Sequence, residues 1–199
     1  MTPRRDPNFG RFAVTIITIG MIIIILGLAF IWFLFQSGGV NAPSSLLKGL
    51  LARRGSLSTN QALLYYTKDG KQLVGSVTDL GMASMSAADR ARVIVAGLVE
   101  GRDAAFLKSP IPRGTRLNAV HVTGNMVIVN LSKEFLTNLA GGMSSEMLAV
   151  YSIVNSLLYN IENIEAVQIL IEGERLPTLR GNVEIGTPLI ANPSITIAS

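Results

Sequence analysis

The side chains in this sequence that could do chemistry are few and far apart. His121 is the single imidazole, and it sits inside an alternating stretch, whereas a general base needs a nucleophile beside it and a multi-histidine zinc site needs more rings. Ser45-Leu-Leu-Lys48 has the Ser-x-x-Lys spacing that lets a lysine one helical turn on activate a serine, but the Lys-Thr-Gly and Ser-Asp-Asn partners of that chemistry are missing. The carboxylate pairs Glu162/Glu165 and Glu172/Glu174 flank one apolar stretch, a position where charge keeps a strand edge soluble. Glycosidase chemistry instead requires two carboxyls facing each other across a cleft. Cysteine is absent, which removes thiolate nucleophiles, disulfides, Cys-ligated metals and a lipid-modified cysteine anchor. Neither a Gly-x-Ser-x-Gly elbow nor a Walker-type loop occurs. The expectation is a protein that is not an enzyme, with no catalytic residues, no cofactor and no metal.

The elements around these residues read as follows. Ala62–Thr67 (ALLYYT) and Gln72–Thr78 (QLVGSVT) are two strands joined by a turn at Asp69-Gly70. Ser86-Ala-Ala-Asp89 starts a helix in the manner of a capping box, and Ala91, Ile94, Val95, Leu98 and Val99 give it one apolar face before Gly101 ends it. After a loop punctuated by Pro110, Pro112 and Gly114, Leu117–Thr123 and Met126–Leu131 form a hairpin about Gly124-Asn125. A second helix from about Ser144 to Asn160 carries Met147, Val150, Tyr151, Val154, Leu157 and Leu158 at helical spacing, with Glu146 in its first turn to complement the dipole. Ala166–Ile171 is a strand, Asn182–Ile190 a further extended piece, and residues 191–199 a frayed tail. Two strands, helix, two strands, helix, strand is an α+β order. We expect one mixed sheet with two main helices packed on one face.

Ahead of this domain lie 24 residues without a charge, Phe12–Phe35. As a helix they would extend about 36 Å, enough to cross a hydrocarbon core of about 30 Å. The apolar stretch of a cleaved signal peptide is shorter, about 7 to 15 residues, so an uncleaved transmembrane helix is expected; a small-residue site at Val40-Asn41-Ala42 leaves cleavage as the alternative. Arg4, Arg5 and Arg11 precede the run and the first cation after it is Lys48, which keeps the N-terminus in the cytoplasm and puts the domain outside. The division is thus 1–11 cytoplasmic, 12–35 transmembrane, 36–61 a Gly/Ser-rich linker, 62–190 the domain and 191–199 the tail. Residues 1–56 hold six Lys/Arg against one acid, whereas residues 57–180 hold eleven of each. The folded part has no net positive field to draw nucleic acid. The expected partners are the lipid bilayer, through the N-terminal helix, and envelope proteins or further copies of the chain.

From residue 60 to about 190 the order of short motifs resembles the GerM domain family of sporulation and germination proteins. The matching residues are Leu98 with Gly101, Ser109-Pro-Ile-Pro-Arg-Gly-Thr-Arg-Leu117, Val127-Ile-Val-Asn-Leu-Ser132, Val150-Tyr-Ser-Ile-Val-Asn-Ser-Leu157, Val167-Gln-Ile-Leu-Ile-Glu-Gly173 and Gly181–Leu189. Asn130 stands where the family often has Asp, and Ser156 where it often has Thr. The resemblance implies a bacterial extracytoplasmic α+β domain, similar to the ring-building modules of envelope assemblies. Its motif residues here, Pro110, Pro112, Gly114, Leu131, Ser132, Asn155, Gly173 and Gly181, are expected to be structural: the prolines and Gly114 shape a loop, Ser132 caps the next segment, and Asn155 bonds nearby backbone.

Topology gives the first test. On intact spheroplasts, added protease is expected to degrade the domain while a tag at the N-terminus stays protected; a protected domain would reverse the assignment.

Overall fold

The computed structural model describes residues 57–101 and 106–197. Phe12–Phe35 and most of the linker, including Ser45 and Lys48, lie outside the described residues, among which no helix is long and apolar enough to cross a membrane.

The elements are β1 Gln61–Thr67, β2 Leu73–Asp79, α1 Ala87–Val99, β3 Leu117–Thr123, β4 Met126–Leu131, the short α2 Glu134–Thr137, α3 Met143–Asn160, β5 Ala166–Ile171, a 3-10 turn Pro193–Ile195 and β6 Thr196–Ile197. Ser86 caps α1 as its spacing predicts. Its hydroxyl accepts from the Asp89 N–H (3.2 Å) and donates to the Asp89 carboxylate (2.6 Å).

Among the described residues the strands form two mixed three-stranded sheets rather than the one expected, in the orders β1-β2-β6 and β3-β4-β5. In each, an antiparallel pair is followed by a parallel one. The reason lies in α3, which occupies the edge of β1 where another strand would have paired. The Asn160 side chain accepts from the Leu63 N–H and donates to the Leu63 carbonyl (2.8 Å each), and one turn earlier Ser156 Oγ accepts from the Tyr65 N–H (3.0 Å). An i, i+4 pair on a helix thus meets an i, i+2 pair on a strand. Both helices serve both sheets: α1 packs on β1 and β3, α3 on β1 and β5.

β1 is buried from Ala62 to Thr67, which explains why it reads as a continuous apolar run and not as an alternation. Ala62, Leu64 and Tyr66 join the main core with Ile94, Leu98, Ile153 and Leu157. Leu63 and Tyr65 face a smaller cluster with Leu73 and Leu148, against which Leu57 and Ile195 pack. Residues 191–197 are held in place and not frayed: β6 pairs parallel with β2, Thr196 with Leu73 and Ile197 with Val74, and Asn192 is held by α3.

Because the Tyr65 N–H is bonded to Ser156 in the interior, Ser156→Ala is expected to lower stability by about 1–3 kcal/mol. The exposed Ser144→Ala should stay within about 0.5 kcal/mol of the parent. Urea midpoints compare the two.

Candidate functional site

The most heavily engaged ionisable side chain is one whose sequence position suggested only a dipole effect. Glu146 lies in the first turn of α3, four residues before Val150 and seven before Ile153, so helical spacing carries it to the apolar face. It is 1% exposed. Its carboxylate accepts from the backbone N–H groups of Arg180 (3.2 Å), Asn182 (3.2 Å) and Val183 (3.1 Å) and from the Asn182 side-chain amide (2.5 Å). Burial pushes its pKa up, but the Asn182 amide and the three N–H groups outweigh this and hold it below the ordinary 4.5. The stretch it grips is irregular: Leu179 N–H donates to the Val183 carbonyl (2.8 Å) to close a turn, and Leu179, Val183 and Ile185 enter the core. The Arg180 guanidinium donates back to the Leu139 carbonyl ahead of α3.

The motif residues named from sequence fall into several separate clamps. Pro110, Pro112 and Gly114 lie in the loop entering β3, where the Thr115 hydroxyl donates to the Pro112 carbonyl (2.7 Å) and the Asn138 amide to the Arg113 carbonyl (2.9 Å). Leu131 is fully buried at the end of β4. Ser132 does not cap α2, whose first residue follows Lys133 with no side-chain cap. Its hydroxyl oxygen accepts from the Arg116 N–H (2.9 Å) while its own N–H donates to the Arg116 carbonyl (2.9 Å), so it locks the start of β3 to the end of β4. The same hydroxyl, followed by Glu134's own N–H, holds the Glu134 carboxyl below its usual range, with Arg116 adding to the effect. Asn155 does bond backbone, but remote backbone: it accepts from the Asn192 N–H and donates to the Asn192 carbonyl (2.9 Å each). Gly173, with φ +83°, turns its N–H to Asn130 Oδ1 (2.8 Å); an aspartate there would offer the same acceptor, which accounts for the exchange at that position. The Gly181 N–H donates to Thr178 Oγ1 (3.2 Å) inside the loop that Glu146 grips.

The residues considered for catalysis do not converge. His121 is exposed on β3 opposite Ile128. Glu165 accepts from the Asn125 side chain (2.6 Å) and Glu172 from the Lys133 N–H (2.7 Å), so two of the four flanking carboxylates order turns. A cleft of about 320 Å³ opens between the end of β2 and α1, lined by Asp79, Leu80, Val93, Ala96, Gly97 and Glu100. No motif pointed to it. The Asp79 carboxylate also accepts from the Gly81 N–H (3.0 Å).

Fold and clamps together define an α+β domain whose buried polar groups tie irregular backbone to one long helix. The chain belongs to the Germane family, described as sporulation and spore germination, whose model matches residues 63–177. Among solved structures, the tandem GerMN domains of the sporulation protein GerM from Bacillus subtilis are 20% identical with a TM-score of 0.53, over 65% of this chain and 45% of that one. The first GerMN domain of the same protein, at 20% identity and a TM-score of 0.53, matches over 65% of this chain and 96% of that one. At this identity the two share the fold; the chain spans less than half of the tandem protein. Curated protein sequences contain no match.

Glu146 makes stability depend on pH in a stated direction. A carboxyl whose pKa is lowered by folding contributes fully above its unfolded value, near 4.5, and the contribution is lost as pH falls through the lower folded value. Glu146→Gln is therefore expected to cost about 1.5–3 kcal/mol at pH 7 and to flatten the loss of stability below pH 4.5. Denaturant midpoints at pH 7, 4.5 and 3 measure both.

Proposed function

We propose that this is a non-enzymatic, membrane-anchored module of the bacterial cell envelope that docks other envelope proteins or copies of itself outside the cytoplasmic membrane, in an assembly related to sporulation or germination. The observation that carries this reading is the use of the interior polar groups. Glu146, Asn155, Ser156 and Ser132 all hold backbone in place, and each is at most 4% exposed. They stiffen a domain whose outer surfaces are then available for contact. The 24-residue apolar run supports a tether, and a tether raises the effective concentration of neighbours so that weak contacts suffice. The related sporulation protein carries GerMN domains in tandem, and self-association through this chain's domain would produce a comparable pair.

The cleft beside α1 favours a second reading, a peptidoglycan- or ligand-binding sensor. It is a concavity whose lining combines Leu80, Val93 and Ala96 with the acidic Asp79 and Glu100, and concave surfaces are where small ligands bind. Crosslinking in intact cells followed by pull-down of the full chain from detergent extract is expected to recover envelope proteins or the chain itself. Repeated recovery of nothing, together with sedimentation of the chain alongside purified cell wall, would replace the first reading by the second.

A further inference from the structure

Of the borders of the two sheets, those at β1 and β5 are covered or bridged by other parts of the chain. The β1 edge is covered by Ser156 and Asn160 and bridged by Lys108, whose N–H and carbonyl pair with Thr67 (2.7 and 2.9 Å). The β5 edge is bridged by Leu189 to Val167 and by Glu174 to Ile171. The β2 edge carries β6 at Leu73 and Val74 alone, and its remaining residues run to the charged Asp79, one of the usual protections of an edge. β3 differs: among the described residues it pairs with β4 and with no second strand. It is seven residues long and has no lysine, proline or formally charged residue at pH 7, the usual protections of an exposed edge. A register shift between Leu117 and Ala119 bends its first residues, leaving the stretch from Ala119 onward in regular pairing.

The hairpin settles which groups point outward. Gly124 has φ +58° and Asn125 follows it in a two-residue loop closed by Thr123 opposite Met126, the arrangement of a type II′ turn. Such a turn is closed by a hydrogen-bonded pair, and pairs alternate along an antiparallel ladder. Thr123, His121 and Ala119 therefore bond to β4. Val122 and Val120 turn their N–H and C=O groups to the open edge.

From this we infer that β3 is the self-association edge of the chain: two copies pair their β3 strands antiparallel about a two-fold axis at Val120, joining two three-stranded sheets into one of six. The inference rests on the assembly reading above and names its partner. In this register Val120 meets its own copy in a hydrogen-bonded pair, Ala119 lies opposite His121, and Asn118 opposite Val122. No like charges face each other. Ala119 and His121 sit on the sheet face away from the buried Val120, beside the half-buried Ile128 and Leu170. Pairing makes that partly apolar face continuous across both copies. Widening a three-stranded sheet also gives the edge the neighbours that isolated strands lack.

The absence of cysteine permits a register-specific test. Full-length chains carrying Ala119→Cys and, under a different tag, His121→Cys are co-expressed in one membrane and oxidised. A disulfide between the two tags is expected, because directly opposed residues in a non-hydrogen-bonded pair lie about 4.5 Å apart at Cα. Either variant alone should crosslink no more than chains carrying Ser144→Cys, on the first turn of α3. A second arm uses the full chain in detergent. Ala119→Lys with His121→Lys sets cation against cation across the axis and should reduce the sedimenting dimer to monomer. Ala119→Glu with His121→Lys should keep it, and both variants should retain the circular dichroism spectrum of the folded parent. Mixed-tag crosslinking no higher than the control, or a dimer that survives the double lysine change, would overturn the β3 pairing. Pull-down of other envelope proteins would then still support the assembly reading, whose own failure is recovery of no partner at all.

Discussion

A carboxylate withdrawn from water is stable only if its oxygens are surrounded by donors, and in this domain that condition organises the C-terminal third of the fold. Glu146 receives three backbone N–H groups and one side-chain amide from residues 180–183. Those N–H groups belong to a stretch outside the named strands, and without the carboxylate that of the buried Val183 would be left unbonded. The requirement runs both ways: the irregular segment needs the acceptor, and the acceptor tolerates burial because the segment wraps it. The position of Glu146 in the first turn of α3 adds the favourable end of the helix dipole. Leu179, Val183 and Ile185 reach the main core through this grip.

The same helix repeats the device along its length. Asn155 holds Asn192, Ser156 holds Tyr65, and Asn160 holds Leu63. Four polar residues on one helix thus reach three regions far apart in sequence, and an apolar contact could not replace them, since dispersion has no direction while a hydrogen bond fixes register. The contrast between β1 and β3 follows from it. Both are strands at the border of a sheet with helices above, yet the side chains of α3 cover the edge of β1, and β3 presents its backbone outward.

Much of the fold was legible because short-range chemistry decides it. The Asp69-Gly70 turn, the Ser86 cap, the Gly124-Asn125 hairpin and the apolar spacing of both helices depend on residues within a few positions of one another, and each appears where its pattern placed it. The misreadings share one cause. Ser132 looked like a cap because a serine before a short helix usually is one, but the nearest orphan donor was the N–H of Arg116 on the neighbouring strand. Asn155 was expected to bond nearby backbone and instead meets that of Asn192, 37 residues on. Residues 191–197 looked frayed because they carry no periodicity, whereas Asn155 and the outer side of β2 hold them. Glu146 was read only as complementing the helix dipole, whereas its spacing from Val150 and Ile153 carries it to the buried face.

Sequence alone therefore established the class of the domain, its main strands and helices and the apolar run ahead of it, because periodicity, capping and turn chemistry act locally; the family showed there as a resemblance in the order of motifs. Among the described residues, tertiary structure decided that there are two sheets and not one, that a buried carboxylate anchors the C-terminal segment, and that β3 pairs with a strand on one side only. These depend on which distant donor meets which acceptor. A hydrogen bond between residues 63 and 160 leaves no periodic trace in the chain; it exists only once packing has brought the two backbones together.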